Sequence, residues 1–373
     1  MRIGVPKEIK THEYRVGLTP ASVRELCEHG HELIVEHDAG DAIGLVDALY
    51  EQAGARIAAD AAEVFAGAEL IVKVKEPQAG ERARLREGQI LFTYLHLAPD
   101  PDQTRDLMAS GCVAIAYETV TDDRGGLPLL APMSAVAGRM SIQAGAHSLE
   151  LAQGGSGVLL PGVPGVAPGK ILIVGGGVVG TNAAMVALGM GARVVLLERS
   201  VRRIYELDSE FGLRLATRYS TPGILEEELR QADLVIGATL TPGAAAPKLI
   251  KRAHLAIMNR GSVIVDVAID QGGCAETSRP TTHAEPTYVV DGVVHYCVAN
   301  MPGAVANTST FALNNVTLPY VCAIADKGYE QACLDDPHLL AGLNVHRGKI
   351  THAAVARDLG LPFTPPEQAL QGA

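Results

Sequence analysis

A chain of 373 residues with 47% hydrophobic and 20% charged residues is typical of a globular protein long enough for two domains. Its net charge of −11 at pH 7 excludes a nucleic-acid-binding surface, which would be basic. Six cysteines without C-x-x-C spacing and twelve histidines without H-E-x-x-H spacing predict neither a disulfide framework nor a metal site.

The first third of the chain alternates strand-like and helical segments, which predicts a parallel sheet covered by helices. It begins directly with a strand-like run and shows no apolar signal region, so the expected compartment is the cytoplasm. A helix over residues 20–28 has Thr19 as N-cap and Pro20 at its first position. Strands are predicted over residues 2–5, 32–36, 70–74, 89–95 and 112–117, and a second helix over residues 102–109.

Residues 171–192 contain no charged residue, and their length alone fits a membrane span. Six glycines and two changes of pattern exclude that interpretation. A β-branched run over residues 171–174, a helical stretch over residues 178–190 and a second apolar run over residues 193–197 instead predict a βαβ unit. Gly191 is expected to stop the helix, and the carboxylate of Glu198 follows the second strand.

Gly175, Gly177 and Gly180 of this unit follow the pattern G-x-G-x-x-G. In dinucleotide-binding proteins these glycines permit a tight turn, a close approach of backbone to pyrophosphate, and close contact between helix and strand. The helix N-terminus offers N–H groups to phosphate, and Glu198 stands where an acid accepts the ribose hydroxyls. The pattern therefore predicts a dinucleotide site; the alternative is a tight turn without a ligand.

Beyond Glu198, a polar helix over residues 201–210 is followed by apolar runs that end near Leu240, at Asp270 and at Asn300. From about Ala304 no strand is predicted. Residues 307–328 favour a helix kinked near Pro319, and residues 338–360 favour a short helix pair. We expect a dinucleotide-binding domain of residues 131–304 and a discontinuous domain of residues 1–130 and 305–373. The predicted fold class is α/β, with two Rossmann-like domains, parallel sheets, a ligand cleft between the domains, and C-terminal helices that return to the N-terminal domain.

Ligands of open α/β sheets bind beyond the carboxyl ends of the strands. Arg15, Lys75 and His96 each follow a predicted strand of the first domain, and Asp270 ends one in the second. A guanidinium and an ammonium can hold a carboxylate, and histidine transfers protons near neutral pH. Hydride transfer from a small charged substrate to a nicotinamide cofactor is the predicted chemistry.

Each of these residues also has a simpler interpretation. Arg15 and Lys75 can be solvated surface charges, as most such residues are. His96 can be a structural hydrogen-bonding residue. Asp266, in the middle of the predicted strand, can be the functional carboxylate instead of Asp270.

Motifs along nearly the whole chain resemble those of the NAD-dependent L-alanine dehydrogenase family. They include "RVGLTP", "VKVKEP", "ILFTYLHLA", "GVLLPGVPGV", "VGGGVVGTNAA", "DVAIDQGGC" and "HYCVANMPGAV". The resemblance implies reversible oxidative deamination of L-alanine to pyruvate and ammonium by a homohexamer that uses NAD. It also implies that Arg15 and Lys75 bind the substrate carboxylate, and that His96 and Asp270 are catalytic.

Cofactor contacts carry over by the same resemblance to the glycine turn and to positions along the second domain. They are Ser134, Gly175, Gly177, Val178, Val179, Gly180, Glu198, Arg203, Ser220, Thr239, Leu240, Val267, Ala268, Ile269, Arg279, Val298, Asn300 and Met301. The family usually has Asp at the position of Glu198. Either carboxylate repels the 2′-phosphate of NADP, so NAD is the favoured cofactor. The neighbouring cations of Arg199, Arg202 and Arg203 leave some use of NADP as an alternative.

Two other functions stay open at this point. The N-terminal part of the proton-translocating transhydrogenase α subunit is similar in several glycine motifs, so the chain can be a nucleotide-binding module that docks on a membrane partner. A dehydrogenase for another small amino acid or a 2-hydroxy acid is the third interpretation. The favoured interpretation involves small-molecule substrates and no contact with nucleic acid or membrane.

Overall fold

A computed structural model describes residues 1–239 and 246–371 of the chain, in which strands and helices alternate. The strands are β1 (Arg2–Val5), β2 (Glu32–Glu36), β3 (Arg56–Ala58), β4 (Leu70–Val72), β5 (Ile90–Thr93), β6 (Val113–Ala116), β7 (Lys170–Val174), β8 (Arg193–Glu198), β9 (Ala216–Tyr219), β10 (Leu234–Gly237), β11 (Val263–Asp266), β12 (Thr287–Val290), β13 (Val293–Tyr296), β14 (Leu343–His346) and β15 (Lys349–Ile350).

The α-helices are α1 (Pro20–Glu28), α2 (Asp47–Gln52), α3 (Ala61–Gly67), α4 (Ala79–Arg82), α5 (Pro101–Ser110), α6 (Ala131–Ser148), α7 (Val178–Gly189), α8 (Val201–Phe211), α9 (Pro222–Leu229), α10 (Ala306–Lys327), α11 (Tyr329–Asp335), α12 (Pro337–Ala341), α13 (Ala353–Leu359) and α14 (Pro366–Gln371). Short 3₁₀ segments include Tyr117–Thr119, Val267–Gln271 and Met301–Val305. Within the described residues, none of the helices combines the length and the apolarity that a membrane span needs.

The chain divides into two compact units, Met1–Met133 with Val305–Ala373, and Ser134–Ala304. In the first unit α10 is tied to the N-terminal residues, since Asn314 accepts the backbone N–H of Thr19 at 2.9 Å. The C-terminal helices thus share a unit with the N-terminal strands. This arrangement and the alternation of strands and helices confirm the predicted α/β fold class.

The sheet of the first unit has the order β15-β14-β6-β5-β4-β1-β2-β3 and is parallel from β6 to β3. Its central strands β4, β5 and β6 are buried at every position, as expected when helices cover both faces. The expectation of no strand beyond Ala304 is wrong, because β14 pairs antiparallel with β6, and β15 with β14. Two buried polar residues break the apolar pattern that would have predicted β14. Asn344 donates to Thr119 Oγ1 at 2.7 Å, and His346 lies 3.1 Å from the hydroxyl of Tyr329.

The sheet of the second unit has the order β12-β13-β11-β10-β7-β8-β9 and is parallel except for the edge strand β12. The predicted βαβ unit is present as β7, α7 and β8, and Gly191 follows α7 with a left-handed φ of +83°. Strands β10, β11 and β13 end three or more residues before the predicted positions, so the prediction that Asp270 ends a strand is wrong. The apolar run continues past β11 because Ala268 and Ile269 are buried within a 3₁₀ turn.

Candidate functional site

The two predicted substrate-binding residues and one predicted catalytic residue follow neighbouring strands of the first unit. Arg15, Lys75 and His96 come after β1, β4 and β5, which lie side by side in the sheet. The carboxyl ends of parallel strands meet at one edge, where ligands of such sheets bind. The first unit therefore presents a guanidinium, an ammonium and an imidazole along that edge.

Arg15 is not a solvated surface charge, because only 2% of it is exposed. Its Nε donates to Glu13 Oε1 at 2.7 Å, and its Nη2 donates to Glu13 Oε2 at 2.5 Å. Its Nη1 also lies 3.0 Å from the sulfur of Met133. Burial disfavours the charge on Arg15, but the hydrogen bonds and the charge of Glu13 outweigh burial and raise the pKa of Arg15. This residue is a permanent, oriented cation.

Lys75 is half-buried, and its main chain is fixed by its neighbours. Its N–H donates to Glu8 Oε1 at 3.3 Å, and its carbonyl accepts the hydroxyl of Thr93 at 3.0 Å. Glu8 is itself held by Lys73, whose Nζ lies 3.1 Å from Glu8 Oε2 and 2.7 Å from Glu81 Oε1. Burial raises the pKa of the Glu8 carboxyl, against the opposing charge of Lys73. The side chain of Lys73 is thus used inside the fold.

His96 is exposed and adopts a φ of +51°, which is uncommon for a residue with a side chain. Glu118, which follows β6, accepts its backbone N–H at 2.6 Å and lies 3.9 Å from its Nδ1. The His96 ring stacks on Tyr94 with 5.9 Å between ring centroids and 4° between planes. The hydroxyl of Tyr94 donates to the carbonyl of Leu129 at 2.6 Å, so the platform beneath His96 is fixed. Such held, strained positions are characteristic of functional sites.

Asp266 and Asp270 are clearly distinguished by their surroundings. Asp266 is the last residue of β11, is fully buried and accepts the N–H groups of Ala268, Cys274 and Ala275 at 3.2, 2.8 and 3.2 Å. It also accepts the hydroxyl of Ser278 at 2.5 Å. Asp270 is exposed in the 3₁₀ turn that follows. Asp266 therefore organises the loop that carries Asp270.

The glycine turn between β7 and α7 leaves no room for side chains at two of its three positions. A Cβ on Gly180 would lie 1.9 Å from the carbonyl oxygen of Gly175, and Gly175 has a φ of +108°. Around Gly177 the space is open, with nothing within 4 Å of an added Cβ. Gly177 is also the N-cap of α7 and supplies no side-chain hydrogen bond. The N–H groups of Val178, Val179 and Gly180 begin this helix, as a phosphate site requires.

Glu198 closes the other side of this turn. Its Oε2 accepts the N–H of Gly176 at 2.8 Å, and its Oε1 accepts those of Arg199 and Ser200 at 2.7 and 2.8 Å. Its carbonyl accepts the N–H of Ser220 at 2.9 Å. The carboxylate predicted to receive ribose hydroxyls is thus held in place by three backbone donors.

Arg203 reinforces the same turn from α8. Its Nε donates to the carbonyl of Gly176 at 2.7 Å, and its Nη2 donates to the hydroxyl of Thr181 at 2.7 Å. Its Nη1 pairs with Glu206 at 2.9 Å, and Arg202 pairs with the same carboxylate at 3.0 Å. Both guanidinium groups therefore already have acidic or turn partners.

The remaining predicted cofactor residues lie on α6 or beyond the ends of β10, β11 and β13. Thr239 follows β10, and its buried Oγ1 has no hydrogen-bond partner among the described residues. Arg279 donates its N–H to the hydroxyl of Tyr288 at 2.8 Å, and its guanidinium lies 4.1 Å above that ring. Asn300 has a φ of +60°. Ser134 lies in the first turn of α6, and the 3₁₀ turn after β11 contains Val267, Ala268 and Ile269. Val298 and Met301 are buried after β13. Leu240 lies outside the described residues.

The second unit fits a dinucleotide by these observations. An open glycine at an uncapped helix N-terminus suits a pyrophosphate, a fixed carboxylate suits ribose hydroxyls, and the orphaned Thr239 hydroxyl suits a polar ligand group. All of them lie at the carboxyl ends of neighbouring strands.

Comparison with known proteins gives the family. The family model described as alanine dehydrogenase/PNT, N-terminal domain, matches residues 4–137, and the corresponding C-terminal domain model matches residues 141–353. The chain belongs to the alanine dehydrogenase/PNT family. An alanine dehydrogenase of Halomonas elongata is 64% identical over 363 residues, which cover 97% of this chain and 98% of that protein.

Solved structures agree with this family assignment. An L-alanine dehydrogenase structure matches with a TM-score of 0.94 and 52% identity, and covers 96% of this chain and 99% of its own. A transhydrogenase from Sinorhizobium meliloti matches with a TM-score of 0.82 and 24% identity, over 95% of this chain and 100% of its own. At that identity the second likeness shows the shared fold of the alanine dehydrogenase/PNT family and no more.

Sequence reasoning missed the acidic residues that contact Arg15, Lys75 and His96. Glu13, Glu8 and Glu118 contact Arg15, Lys75 and His96 respectively. Acidic residues are usually exposed, so nothing in their local sequence signals burial. Glu13 had a usable signal, because two opposite charges two residues apart can pair.

Proposed function

We propose that this chain catalyses the reversible NAD-dependent oxidative deamination of L-alanine to pyruvate and ammonium. The observation that carries the proposal is Arg15, a buried cation oriented by Glu13 beyond the end of a central strand. A buried, oriented guanidinium is the group best suited to a small carboxylate ligand. High identity to proteins named alanine dehydrogenase supports the choice of substrate.

Arg15 and Lys75 bind the substrate carboxylate in this proposal. Both alanine and pyruvate carry that group, so the two cations serve each direction of the reaction. Holding the carboxylate fixes the position of Cα, and such orientation contributes roughly 7–11 kcal/mol in favourable cases.

His96 and Asp270 carry the proton transfers of the proposed reaction. Loss of a proton from the amino group and of hydride from Cα leaves an imine. Addition of water to that imine and release of ammonium give the ketone, and these steps need protons to be added and removed. Both side chains are exposed, so they can exchange protons with water and substrate. Histidine is suited to that task near neutral pH.

Residues of the second unit hold the cofactor. We assign the pyrophosphate to the turn of Gly175, Gly177 and Gly180, and the adenosine ribose to Glu198. A bound nicotinamide dinucleotide supplies the hydride acceptor for oxidation and the donor for the reverse reaction. NAD is favoured over NADP because the Glu198 carboxylate repels a 2′-phosphate and because Arg202 and Arg203 are paired with Glu206. A cytoplasmic location and a homohexameric assembly complete the proposal; cell fractionation and light scattering of the purified chain test them.

The test is the near-ultraviolet absorbance of NADH with the purified chain. Pyruvate plus ammonium should consume NADH rapidly, and NADPH should be a much poorer substitute. Glyoxylate and 2-oxobutyrate in place of pyruvate measure the selectivity for the side chain. Faster turnover with either of them would reassign the substrate within the same reaction class, whereas NADH binding without turnover would favour the transhydrogenase-like module.

A further inference from the structure

Three metal-ligand side chains from distant parts of the sequence meet in the first unit. His29 caps the C-terminus of α1, His31 lies immediately before β2, and Asp326 lies in the last turn of α10. His29 Nδ1 is 3.0 Å from Asp326 Oδ2, and His31 Nε2 is 2.9 Å from Asp326 Oδ1. The two ring nitrogens and the carboxylate oxygen all lie within 4.8 Å of one another.

We propose that His29, His31 and Asp326 form a binding site for a divalent transition-metal ion of the zinc class, with water in the remaining coordination positions. Imidazole nitrogen and carboxylate oxygen are the usual non-sulfur ligands of zinc, at about 2.0–2.2 Å. None of the proposed site residues of the first unit, Arg15, Lys75 and His96, belongs to this set.

His29 and His31 contact different oxygens of Asp326, and their two ring nitrogens lie within 4.8 Å of each other, so an ion would require the side chains to move. Ligand atoms around a four-coordinate zinc ion lie about 3.4 Å apart, given its bond lengths, against the 2.9 and 3.0 Å observed here. The side chains of His29 and Asp326 are 40% and 39% exposed. The His31 side chain, 7% exposed, is the fixed member.

Each histidine also has a partner on the side away from Asp326. His29 Nε2 lies 3.9 Å from Glu25 Oε1, and His31 Nδ1 lies 3.3 Å from the α-amino nitrogen of Met1. An ion on His31 Nε2 would leave the proton of the neutral ring on Nδ1, so metal binding there requires the neutral form of that amino group. A carboxylate on the outer ring nitrogen is the common arrangement that orients a histidine ligand. Glu25 stands one helical turn before His29, where it can take that place.

A second group of histidine and aspartate side chains is accounted for by local contacts and needs no metal. His37, Asp38 and Asp47 lie within eleven residues of one another and contribute only one imidazole. Asp47, at the start of α2, accepts the N–H of Asp38 at 2.9 Å, which is a turn and helix-start contact. The cluster of His29, His31 and Asp326 joins residues 297 apart and has no comparable local explanation.

The experiment titrates Zn²⁺ into the chelator-stripped full chain in competition with a chromophoric chelator. Wild type should bind one ion per chain more tightly than any residual sites. The double variant His29→Gln/His31→Gln and the single variant Asp326→Asn should each lose that ion, with affinity reduced at least 100-fold, since even outer-shell changes cost about 10–100-fold. His37→Gln and His147→Gln should bind like wild type; His147 is exposed beside Glu150 and lies outside both clusters.

Thermal unfolding gives the second readout. Zn²⁺ should raise the melting temperature of wild type, because the ion ties α10 to the turn between α1 and β2. It should leave that of the double variant unchanged, and metal-free melting shows whether each variant is folded. Equal Zn²⁺ binding by wild type and the folded double variant, or loss of the ion in His37→Gln alone, would overturn the proposal.

Discussion

The carboxylate of Glu13 fixes the plane of the Arg15 guanidinium. Two parallel contacts of 2.7 and 2.5 Å join them, and the side chains are 0% and 2% exposed. A two-point pair of this kind sets direction as well as charge. Because the guanidinium is planar and rigid, the position of its other edge is decided by Glu13.

Glu13→Gln should weaken substrate binding and the fold together. Breaking a buried ion pair leaves an uncompensated charge and costs about 3–5 kcal/mol. The KM for pyruvate should rise at least tenfold, since charge-assisted hydrogen bonds contribute about 1.5–3 kcal/mol. Steady-state kinetics and urea unfolding measure the two effects. Glu28→Gln is the matched control, because the Arg24–Glu28 pair is 75% and 62% exposed and should contribute less than about 1 kcal/mol. If both variants behave alike, Glu13 does not position Arg15.

Substitution of Asp270 should reduce activity, whereas substitution of Asp266 should reduce stability. Asp270→Asn should keep its melting temperature and NADH affinity and lose most of its turnover, because this carboxylate is exposed and is proposed to transfer protons. Asp266→Asn should lose about 1–3 kcal/mol of stability, since an amide nitrogen would face buried donors. Full activity in Asp270→Asn would remove it from the catalytic set.

Substitutions at neighbouring glycines of the turn should affect either stability or NADH binding. Gly180→Ala should destabilise the chain by about 1–3 kcal/mol, because its Cβ meets the Gly175 carbonyl at 1.9 Å. Gly177→Ala should fold normally and bind NADH at least tenfold more weakly, since its Cβ would occupy open space beside the helix N-terminus. Gly189→Ala, also in open space but at the far end of α7, should bind NADH normally and gain about 0.4–1 kcal/mol. Unchanged NADH affinity in Gly177→Ala would mean that the pyrophosphate lies elsewhere.

Because of His295, the free energy of unfolding should decrease as the pH is lowered. Burial lowers its pKa despite the charges of Asp266 and Asp291, and its Nε2 lies 2.8 Å from the hydroxyl of Thr277. The unfolded chain therefore binds a proton that the native state resists, so unfolding free energy should decrease as pH falls through about 6.5. Urea unfolding midpoints at pH ~7.5 and ~5.5 bracket that value. The loss should be smaller in His295→Gln and unaltered in the exposed control His147→Gln; equal losses in all three proteins would assign the effect elsewhere.

The sequence pattern correctly predicted those helices and strands in which every residue favours the same secondary structure. The bounds of β1, β2 and α1 agree with the predictions, and Thr19 caps α1 through a contact with Ser22 N–H. The βαβ unit was recognisable for the same reason. In contrast, β14 has alternating buried polar residues whose partners, Thr119 and Tyr329, come from other parts of the chain.

The candidate site could be predicted only at the level of strand ends. Arg15, Lys75 and His96 follow β1, β4 and β5 in the chain, as the patterns predicted, and these strands are neighbours in the sheet. The distinction between Asp266 and Asp270 depends on where β11 stops and which N–H groups turn back to it. The burial of Lys73 and Glu8 also depends on tertiary pairing, because single charged residues give no local signal of it.

The central claim is that one active site joins ammonium to pyruvate by using hydride from NADH. The most direct measurement is the amount of L-alanine formed for each NADH oxidised, with and without ammonium. We predict equal amounts of L-alanine and oxidised cofactor when ammonium is present, and no oxidation without it. NADH oxidation that continues without ammonium and yields a 2-hydroxy acid would contradict the account.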